Sequence, residues 1–268
     1  MELLPDQCEP VKPVAPYMGG KRNLALRLVQ LIDAHPCETY AEPFVGMGGV
    51  FLRRRRKPPC EVINDISEDV ATFFRILQRH YVPFMDMLRF QLTTRAGFER
   101  LLKVDPTTLT DLERAARFLY LQRLAFGGKI VGRVFGTQTG MPARFDVTRL
   151  GPRLEELHER LAGVIVERLP YGELIARYDT LGTLFYLDPP YFNCESDYGT
   201  GVFARIDFMR LARQLEQIAG RFILSINDVP EIREIFGAFH IEGVETTYTV
   251  SGTGPQTAKE LIIRNRMR

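Results

Sequence analysis

The chain carries the segment Thr39-Tyr-Ala-Glu-Pro-Phe-Val-Gly-Met-Gly-Gly49, an apolar run that leads into a glycine-rich turn. A short apolar run bounded by turn residues is typical of a buried strand. Glycines after a strand let the backbone turn sharply and approach a ligand closely. A helix is expected to start after the turn, over residues Val50–Arg56. Strand, glycine turn and helix in this order indicate a parallel α/β sheet.

The neighbouring segments continue this rhythm. Glu61-Val-Ile-Asn-Asp65 predicts a second strand, and Ser67 is suited to cap a helix over Glu68–Arg79. The other predicted elements are helices over Lys21–Ala34 and Phe208–Ala219, strands at Val164–Arg168, Leu184–Asp188 and Phe222–Ile226, and a tail hairpin of Glu245–Val250 with Glu260–Arg264. The pattern predicts a mixed, mainly parallel sheet with helices on both faces.

The middle of the chain differs from the α/β rhythm. Val82–Leu124 is predicted as helices broken at Asp105-Pro106, and a glycine-rich stretch follows it. Four apolar residues of that stretch are predicted to pair as a hairpin: Ile130, Val131, Val134 and Phe135. Between residues 112 and 153 eight Lys and Arg residues stand against two acidic ones, although the whole chain has a net charge of only +2. We expect residues 81–159 to be a phosphate-binding insert in a discontinuous domain of residues 1–80 and 160–268. From charge alone, a solvated surface explains the cluster equally well.

The bulk properties exclude several classes of protein. A chain of 268 residues with 45% hydrophobic and 25% charged residues fits one large α/β domain that carries an insertion. No apolar stretch approaches the roughly 18 residues of a membrane span, and the N-terminus lacks the pattern of a secretory signal. The four cysteines form no CxxC pair and no zinc-like spacing with histidine. Reduced thiols and a cytoplasmic location are therefore expected.

The tetrapeptide Asp188-Pro189-Pro190-Tyr191 follows directly after a predicted strand. Ligands of open α/β sheets bind outside the carboxyl ends of strands. An exocyclic amine of a purine is a poor nucleophile, and two acceptors for its N–H bonds would direct its lone pair at an incoming methyl group. The Asp188 carboxylate and the Pro189 carbonyl are suited to that task, and Tyr191 offers a face for a flipped base. Taken alone, the motif is equally compatible with a turn that ends a strand.

With the glycine-rich loop and the basic insert, this motif resembles the Dam-type (D12 class) family of DNA adenine-N6 methyltransferases, phage and prophage members included. The resemblance spans Pro16 to about Arg264 and keeps the family's order of loop, insert and catalytic motif. It implies a Rossmann-like methyltransferase fold, mainly parallel with a C-terminal antiparallel hairpin, plus a helical and hairpin target-recognition insert. It also implies S-adenosylmethionine as cofactor, double-stranded DNA as partner, no metal, and site-specific methylation of a flipped adenine in a bacterial or phage-infected cell. Restriction–modification, a phage role and the marking of host DNA are all compatible with it.

The same resemblance implies roles for individual residues. Two segments similar to the family's cofactor loops, and the acidic residue after the second strand, give as cofactor contacts Tyr17, Met18, Gly19, Gly20, Lys21, Glu42, Pro43, Phe44, Gly46, Gly48, Asp65, Ile66 and Asp188. Phe118–Gly128 is similar to the segment that opens the recognition hairpin, although Gln122 and Gly127 stand where the family usually has Asn. The implied DNA contacts are Arg123, Gly128, Lys129, Arg133 and Arg144, and Asn227 and Asp228 are expected beside the base pocket.

RNA and protein-glutamine methylation can use related Asn/Asp-Pro-Pro-Tyr motifs, but the similarity of Phe118–Gly128 to the segment that opens the recognition hairpin favours duplex DNA. Cytosine-C5 methylation needs a nucleophilic cysteine, and neither Pro36-Cys37 nor Pro59-Cys60 lies near the expected reaction centre. Cytosine-N4 methylation and a catalytically silent DNA-binding relic stay open as alternatives. The basic run Arg53–Lys57 is expected to be a solvated helix end rather than a DNA-binding patch.

Overall fold

The computed structural model describes residues 7–21, 23–137, 140–199, 201–250 and 254–266. Seven strands in this part of the chain form one sheet in the order β3-β2-β1-β4-β5-β7-β6. Neighbouring strands from β3 to β5 pair in parallel, whereas β7 pairs antiparallel with β5 and β6. The strands are β1 (Thr39–Glu42), β2 (Cys60–Asn64), β3 (Ile165–Glu167), β4 (Thr183–Leu187), β5 (Arg221–Asn227), β6 (His240–Val250) and β7 (Gly254–Arg264). The predicted α/β class and its C-terminal antiparallel hairpin are confirmed.

The core lies on both faces of this sheet. Along β4, Leu184 and Tyr186 join one hydrophobic cluster, and Phe185 and Leu187 join the other, because successive side chains of a strand point to opposite faces. Among the described residues, six helices contribute to the first cluster: α1 (Ala25–Asp33), α2 (Glu68–Arg79), α3 (Tyr81–Leu88), α4 (Arg95–Lys103), α5 (Asp111–Leu124) and α6 (Val147–Arg160). Three helices contribute to the second: α7 (Tyr171–Tyr178), α8 (Arg205–Gln217) and α9 (Pro230–Ile235).

The parallel strands bring their carboxyl ends to one edge of the sheet. Glu42 is the last residue of β1, Asp65 follows β2, Asp188 follows β4 and Asn227 ends β5. The sheet thus gathers three carboxylates from distant parts of the chain at the edge where α/β proteins bind ligands.

The segment after the glycine-rich turn differs from the prediction. Only a single 3₁₀ turn, Phe51–Arg53, forms there, and the chain is extended at Arg54. The two prolines at 58 and 59 leave no length for a helix before β2. Arg54 is buried, donates to the Glu61 carboxylate at 2.9 Å and stacks 3.5 Å from the centroid of the Tyr40 ring. The expectation of a solvated helix end is therefore wrong for Arg54.

The helices predicted over Val82–Leu124 are confirmed, with α4 and α5 separated by the 3₁₀ turn Pro106–Thr108. The glycine-rich stretch, however, does not form the predicted hairpin: Ala125 and Phe135 make one isolated bridge, and the Phe126 amide donates to the Val134 carbonyl at 2.8 Å. Positive φ angles at Gly127, Gly128 and Gly132 turn the chain too often for regular pairing.

Helices α3–α6 are not a detached unit. Phe98 of α4, Phe118 of α5 and Leu154 of α6 belong to the same hydrophobic cluster as Ile63 and Leu184 of the sheet. In the described ranges, no helix is long and apolar enough to cross a membrane.

Candidate functional site

A cavity of about 1150 Å³ lies at the carboxyl edge of the sheet. Among its lining residues are fourteen that the sequence singled out: Tyr17, Met18, Gly19, Gly20, Lys21, Glu42, Pro43, Phe44, Gly46, Asp65, Ile66, Arg123, Asp188 and Pro190. The N-terminal segment, the loop after β1, the loop after β2 and the motif after β4 therefore meet around one space.

The glycine-rich loop contacts the N-terminal segment directly. Gly46 has a φ of +51°, and a Cβ atom there would lie 2.9 Å from the Tyr17 ring. Gly48, with a φ of +73°, faces Leu52 instead and is not among the cavity-lining residues. Gly46 thus permits the approach of an aromatic side chain, whereas Gly48 serves the packing of its own turn.

Asp65 is fixed by backbone donors. Its Oδ2 accepts from the Gly46 amide and its Oδ1 from the Ser67 amide, both at 2.9 Å. Burial raises the pKa of Asp65 to about 6, in opposition to these two hydrogen bonds. A ligand that brings hydroxyl donors or positive charge would favour the ionised form of this carboxyl group.

Glu42 is a second carboxyl group on the cavity wall and is more deeply buried than Asp65, with 2% of its surface exposed. The Tyr40 hydroxyl donates to its Oε1 at 2.5 Å. Burial nevertheless raises the pKa of Glu42 to about 8. The cavity therefore holds a carboxyl group that a cationic ligand would ionise.

Asp188 shares the ammonium group of Lys21 with a second acid. The Lys21 Nζ lies 2.9 Å from Asp188 Oδ1 and 3.2 Å from Glu260 Oε2. The same Nζ lies 4.1 Å from the centroid of the Tyr191 ring and donates to the Tyr191 hydroxyl. Burial raises the pKa of Asp188 to about 6, and the opposing attraction of Lys21 is the next largest effect. Lys21 thus connects the N-terminal segment to the Asp-Pro-Pro-Tyr motif.

Asn227 holds the chain just after that motif. Its Oδ1 accepts from the Phe192 amide at 2.9 Å, and its Nδ2 donates to the Phe192 carbonyl at 3.1 Å. Asp228 points elsewhere and forms a bidentate pair with Arg233, at 2.6 and 2.8 Å. Neither Asn227 nor Asp228 is among the residues that line the cavity.

An aromatic wall completes the cavity on the side of α7 and α8. The Phe44 ring centroid lies 5.6 Å from that of Tyr171 and 6.0 Å from that of Phe203. Tyr171 and Phe203 were not predicted as site residues, since isolated aromatic residues in loops and helix starts carry no motif. Such a wall is suited to a flat heterocyclic ring.

Two further residues of the site were missed. Tyr198, on the 3₁₀ turn Glu195–Tyr198, donates from its hydroxyl to the Met18 carbonyl at 3.2 Å. Glu260 lies on β7 and is 1% exposed. An acidic residue beside the apolar run 261–263 was an available signal for Glu260, because buried acids require a partner.

The residues predicted to contact DNA occupy different environments. Lys129 is exposed, and Arg144 is half-buried beside Gly136. Arg123 donates to the Val14 carbonyl at 2.9 Å and also to the Arg144 carbonyl. Arg123 therefore holds the backbone of two segments together.

The other two residues predicted to contact DNA, Gly128 and Arg133, both form hydrogen bonds with the Gln122 side chain. Gly128 is buried and its carbonyl accepts from Gln122 Nε2 at 2.7 Å. Arg133 Nη2 donates to Gln122 Oε1 at 3.0 Å. In the described part of the chain, no group of three or more His, Cys, Asp or Glu side chains is arranged to hold a metal ion.

Comparison with known proteins identifies relatives along most of the chain. The model of the family described as D12 class N6 adenine-specific DNA methyltransferase matches residues 17–250. The chain is 25% identical to the type II methyltransferase M1.LlaDCHI of Lactococcus lactis subsp. cremoris, over 99% of either chain. It is 23% identical to the type II methyltransferase M.CviBI of a Paramecium bursaria Chlorella virus, over 87% of this chain and 89% of that one. It is 26% identical to a DNA adenine methylase of Salmonella typhimurium, over 89% of this chain and 88% of that one.

Two of the similar solved structures are named putative methyltransferases, and their sequence identity to this chain is low. A putative RNA methyltransferase from Pyrococcus horikoshii has 9% identity and a TM-score of 0.41, over 95% of this chain and 91% of that chain. A putative methyltransferase from Escherichia coli has 11% identity and a TM-score of 0.40, over 97% of this chain and 99% of that chain.

Proposed function

Because this chain belongs to the D12 class family of N6 adenine-specific DNA methyltransferases, we propose that it transfers a methyl group from S-adenosylmethionine to the N6 amine of an adenine flipped out of double-stranded DNA. The observation that carries this proposal is one cavity that joins Glu42, Asp65 and Asp188 to an aromatic wall. Two relatives are named type II methyltransferases, and we extend their site-specific action to this chain.

The cavity fits the proposed cofactor in charge and in shape. Glu42 and Asp65 are carboxyl groups whose pKa values burial raises, so a ligand with positive charge and ribose hydroxyls stabilises their ionised forms. Phe44 would face the adenine ring of the cofactor, and Ile66 would border it. The segment Tyr17–Lys21 and the turn at Gly46 would hold the methionine part. When bound, S-adenosylmethionine supplies a methyl group on a positively charged sulfur, ready for attack by an amine.

The volume of about 1150 Å³ exceeds the range of roughly 300 to 1,000 Å³ that is common for small-molecule sites. The cavity therefore has room for a target base beside the cofactor. Asp188 and Pro190 line the cavity at the end of β4, where the target base and the cofactor would meet.

The residues of the motif would orient and activate the target amine. The ionised Asp188 carboxylate and the Pro189 carbonyl would accept hydrogen bonds from the two N–H groups of N6. These hydrogen bonds would turn the N6 lone pair toward the methyl group. The adjacent prolines restrict the backbone that carries both acceptors. Tyr191, with its hydroxyl and ring against Lys21, would stack on the flipped base.

We assign DNA recognition to the insert of residues 81–159. Lys129 is exposed and can approach a phosphate, and Arg144 is half-buried in the same insert. Arg123, Gly128 and Arg133 would act by shaping the segments that meet the DNA, because their hydrogen bonds run to other parts of the protein. Phosphate contacts of this kind fix the position of the duplex, and base contacts read its sequence.

The test is methyl transfer from labelled S-adenosylmethionine to unmethylated DNA, followed by mass spectrometry of the nucleosides. N6-methyladenine is the expected product. N4-methylcytosine would correct the base and keep the chemistry of an exocyclic amine. Binding of DNA without any transfer of label would contradict the proposal and favour a silent DNA-binding protein.

A further inference from the structure

The Lys21 ammonium has a second buried carboxylate beside it. Glu260 lies on β7, the strand between β5 and β6, and its Oε2 is 3.2 Å from Lys21 Nζ. Glu260 is in register with Asn227 of β5, whose amide holds the chain just after the catalytic motif. The antiparallel hairpin thus delivers an acid to the same edge of the sheet as Asp188.

Two carboxylates therefore share one ammonium in a buried centre. Lys21 and Glu260 are each 1% exposed, so water screens their charges poorly. The other titratable groups around Asp188 come from β1, β4, the motif and the turn before α8: Glu42, Tyr186, Tyr191 and Tyr198. Burial raises the pKa values of Tyr186 and Tyr198, which stay neutral at physiological pH. Glu260 is then the acid that divides the Lys21 charge with Asp188.

We propose that Glu260 is a positioning residue for methyl transfer. It competes with Asp188 for the Lys21 ammonium, and so preserves the ability of Asp188 to accept a hydrogen bond from N6–H and then the proton. This inference rests on the proposed function. Without Glu260, Lys21 would pair fully with Asp188 and make that carboxylate a weaker acceptor.

The reaction step is balanced with the residues in place. A bond forms between N6 and the methyl carbon, and the carbon–sulfur bond breaks with its electron pair left on sulfur. One N6–H bond breaks, its electron pair stays on nitrogen, and the proton passes to an Asp188 carboxylate oxygen. The proton then leaves to water as the product departs. A stronger acceptor at Asp188 favours the N–H cleavage.

The decisive comparison is Glu260→Gln against Glu245→Gln, which removes the same charge from an exposed position on the neighbouring strand β6. The first readout needs no cofactor: the titration of the Asp188 carboxyl group, followed by ¹³C NMR and assigned with Asp188→Asn. We expect Glu260→Gln to lower the midpoint of the Asp188 titration by at least about half a pH unit. The substitution removes a neighbouring negative charge and leaves Lys21 to pair with Asp188 alone. Glu245→Gln should leave the midpoint unchanged.

The second readout is activity. In Glu260→Gln the acid limb of kcat/KM should move to lower pH with the Asp188 titration, and kcat should fall about tenfold while KM for DNA stays constant. If this variant does not fold, Glu260→Asp serves instead, since its shorter carboxylate also releases Lys21 and should lower the midpoint. An Asp188 titration equal to that of the wild type, in whichever of these variants folds, would overturn the inference. A wild-type enzyme that transfers no methyl group would overturn the proposed function, whereas the NMR midpoints would still decide how Glu260 acts on Asp188.

Discussion

Gln122 of α5 donates from Nε2 to the Pro16 carbonyl at 2.8 Å, one residue before Tyr17 of the cavity wall. The same Nε2 donates to the Gly128 carbonyl at 2.7 Å, and Arg133 donates to Oε1 at 3.0 Å. One buried amide thus joins the proposed cofactor segment to the proposed DNA-recognition segment.

Gln122→Leu should therefore weaken both functions. The change leaves Arg133 and the two carbonyls without this partner, and we expect a loss of about 1 to 2 kcal/mol in the free energy of unfolding. Cofactor and DNA affinity should fall together, measured by calorimetry and by fluorescence anisotropy. Gln30→Leu, at an exposed position of α1, is the matched control. Loss of one affinity alone would show that the amide does not couple the two segments.

Gly46→Ala and Gly127→Ala separate backbone strain from steric conflict. Both glycines have positive φ, at +51° and +66°, so either substitution should cost about 1 kcal/mol of folding free energy. An added Cβ at Gly46 would also lie 2.9 Å from the Tyr17 ring, whereas Gly127 has nothing within 4 Å. Only Gly46→Ala should therefore raise the Kd for S-adenosylmethionine, by about tenfold or more. Equal Kd values in the two variants would argue against Tyr17 as part of the cofactor site.

Lys129→Ala and Arg123→Ala should differ in what they disturb. Lys129 is exposed, so its loss should weaken DNA binding, reduce the salt-dependence slope by about 1 and leave unfolding unchanged. Arg123 donates to the Val14 and Arg144 carbonyls, so its loss should cost about 1 to 3 kcal/mol of stability. Binding titrations at several salt concentrations and urea unfolding measure the two effects. A salt slope that Lys129→Ala does not change would remove Lys129 from the phosphate contacts.

Glu42 should make stability depend on pH. Its pKa is raised to about 8 in the folded protein from an ordinary value of 4.5, so the fold binds an extra proton between these values. The stability contribution of Glu42 is therefore fully present below about pH 4.5 and is lost as the pH rises through about 8. Glu42→Gln should flatten this decline and stabilise the cofactor-free protein by on the order of 5 kcal/mol at about pH 9, since a shift of one pKa unit corresponds to about 1.4 kcal/mol. Thermal unfolding across this range tests it, and an equal decline in wild type and variant would contradict the assignment.

The centre of the sheet was predictable from sequence because β1, β4 and β5 are short, largely apolar runs between turn residues. Glu42, Asp65 and Asp188 could be placed together for the same reason, since the carboxyl ends of parallel strands share an edge. The relation of Glu260 to Lys21 was not predictable, because their 239-residue separation is closed only by the pairing of β7 with β5. Arg54 was misjudged because a basic run is ordinarily solvated, and its burial depends on Glu61 of β2 and the neighbouring Tyr40 ring.

The motif after β4 is tested most directly by single-turnover methyl transfer in Asp188→Asn and Asp228→Asn. Asp188 lines the cavity at the end of β4, whereas Asp228 is paired with Arg233 outside it. Asp188→Asn replaces one carboxylate oxygen by an amide, and we expect the rate of transfer to fall at least about 100-fold. Affinity for S-adenosylmethionine should change only a few-fold, and Asp228→Asn should keep the wild-type rate. Transfer at the wild-type rate by Asp188→Asn would contradict the assignment of Asp188 as the acceptor that activates N6.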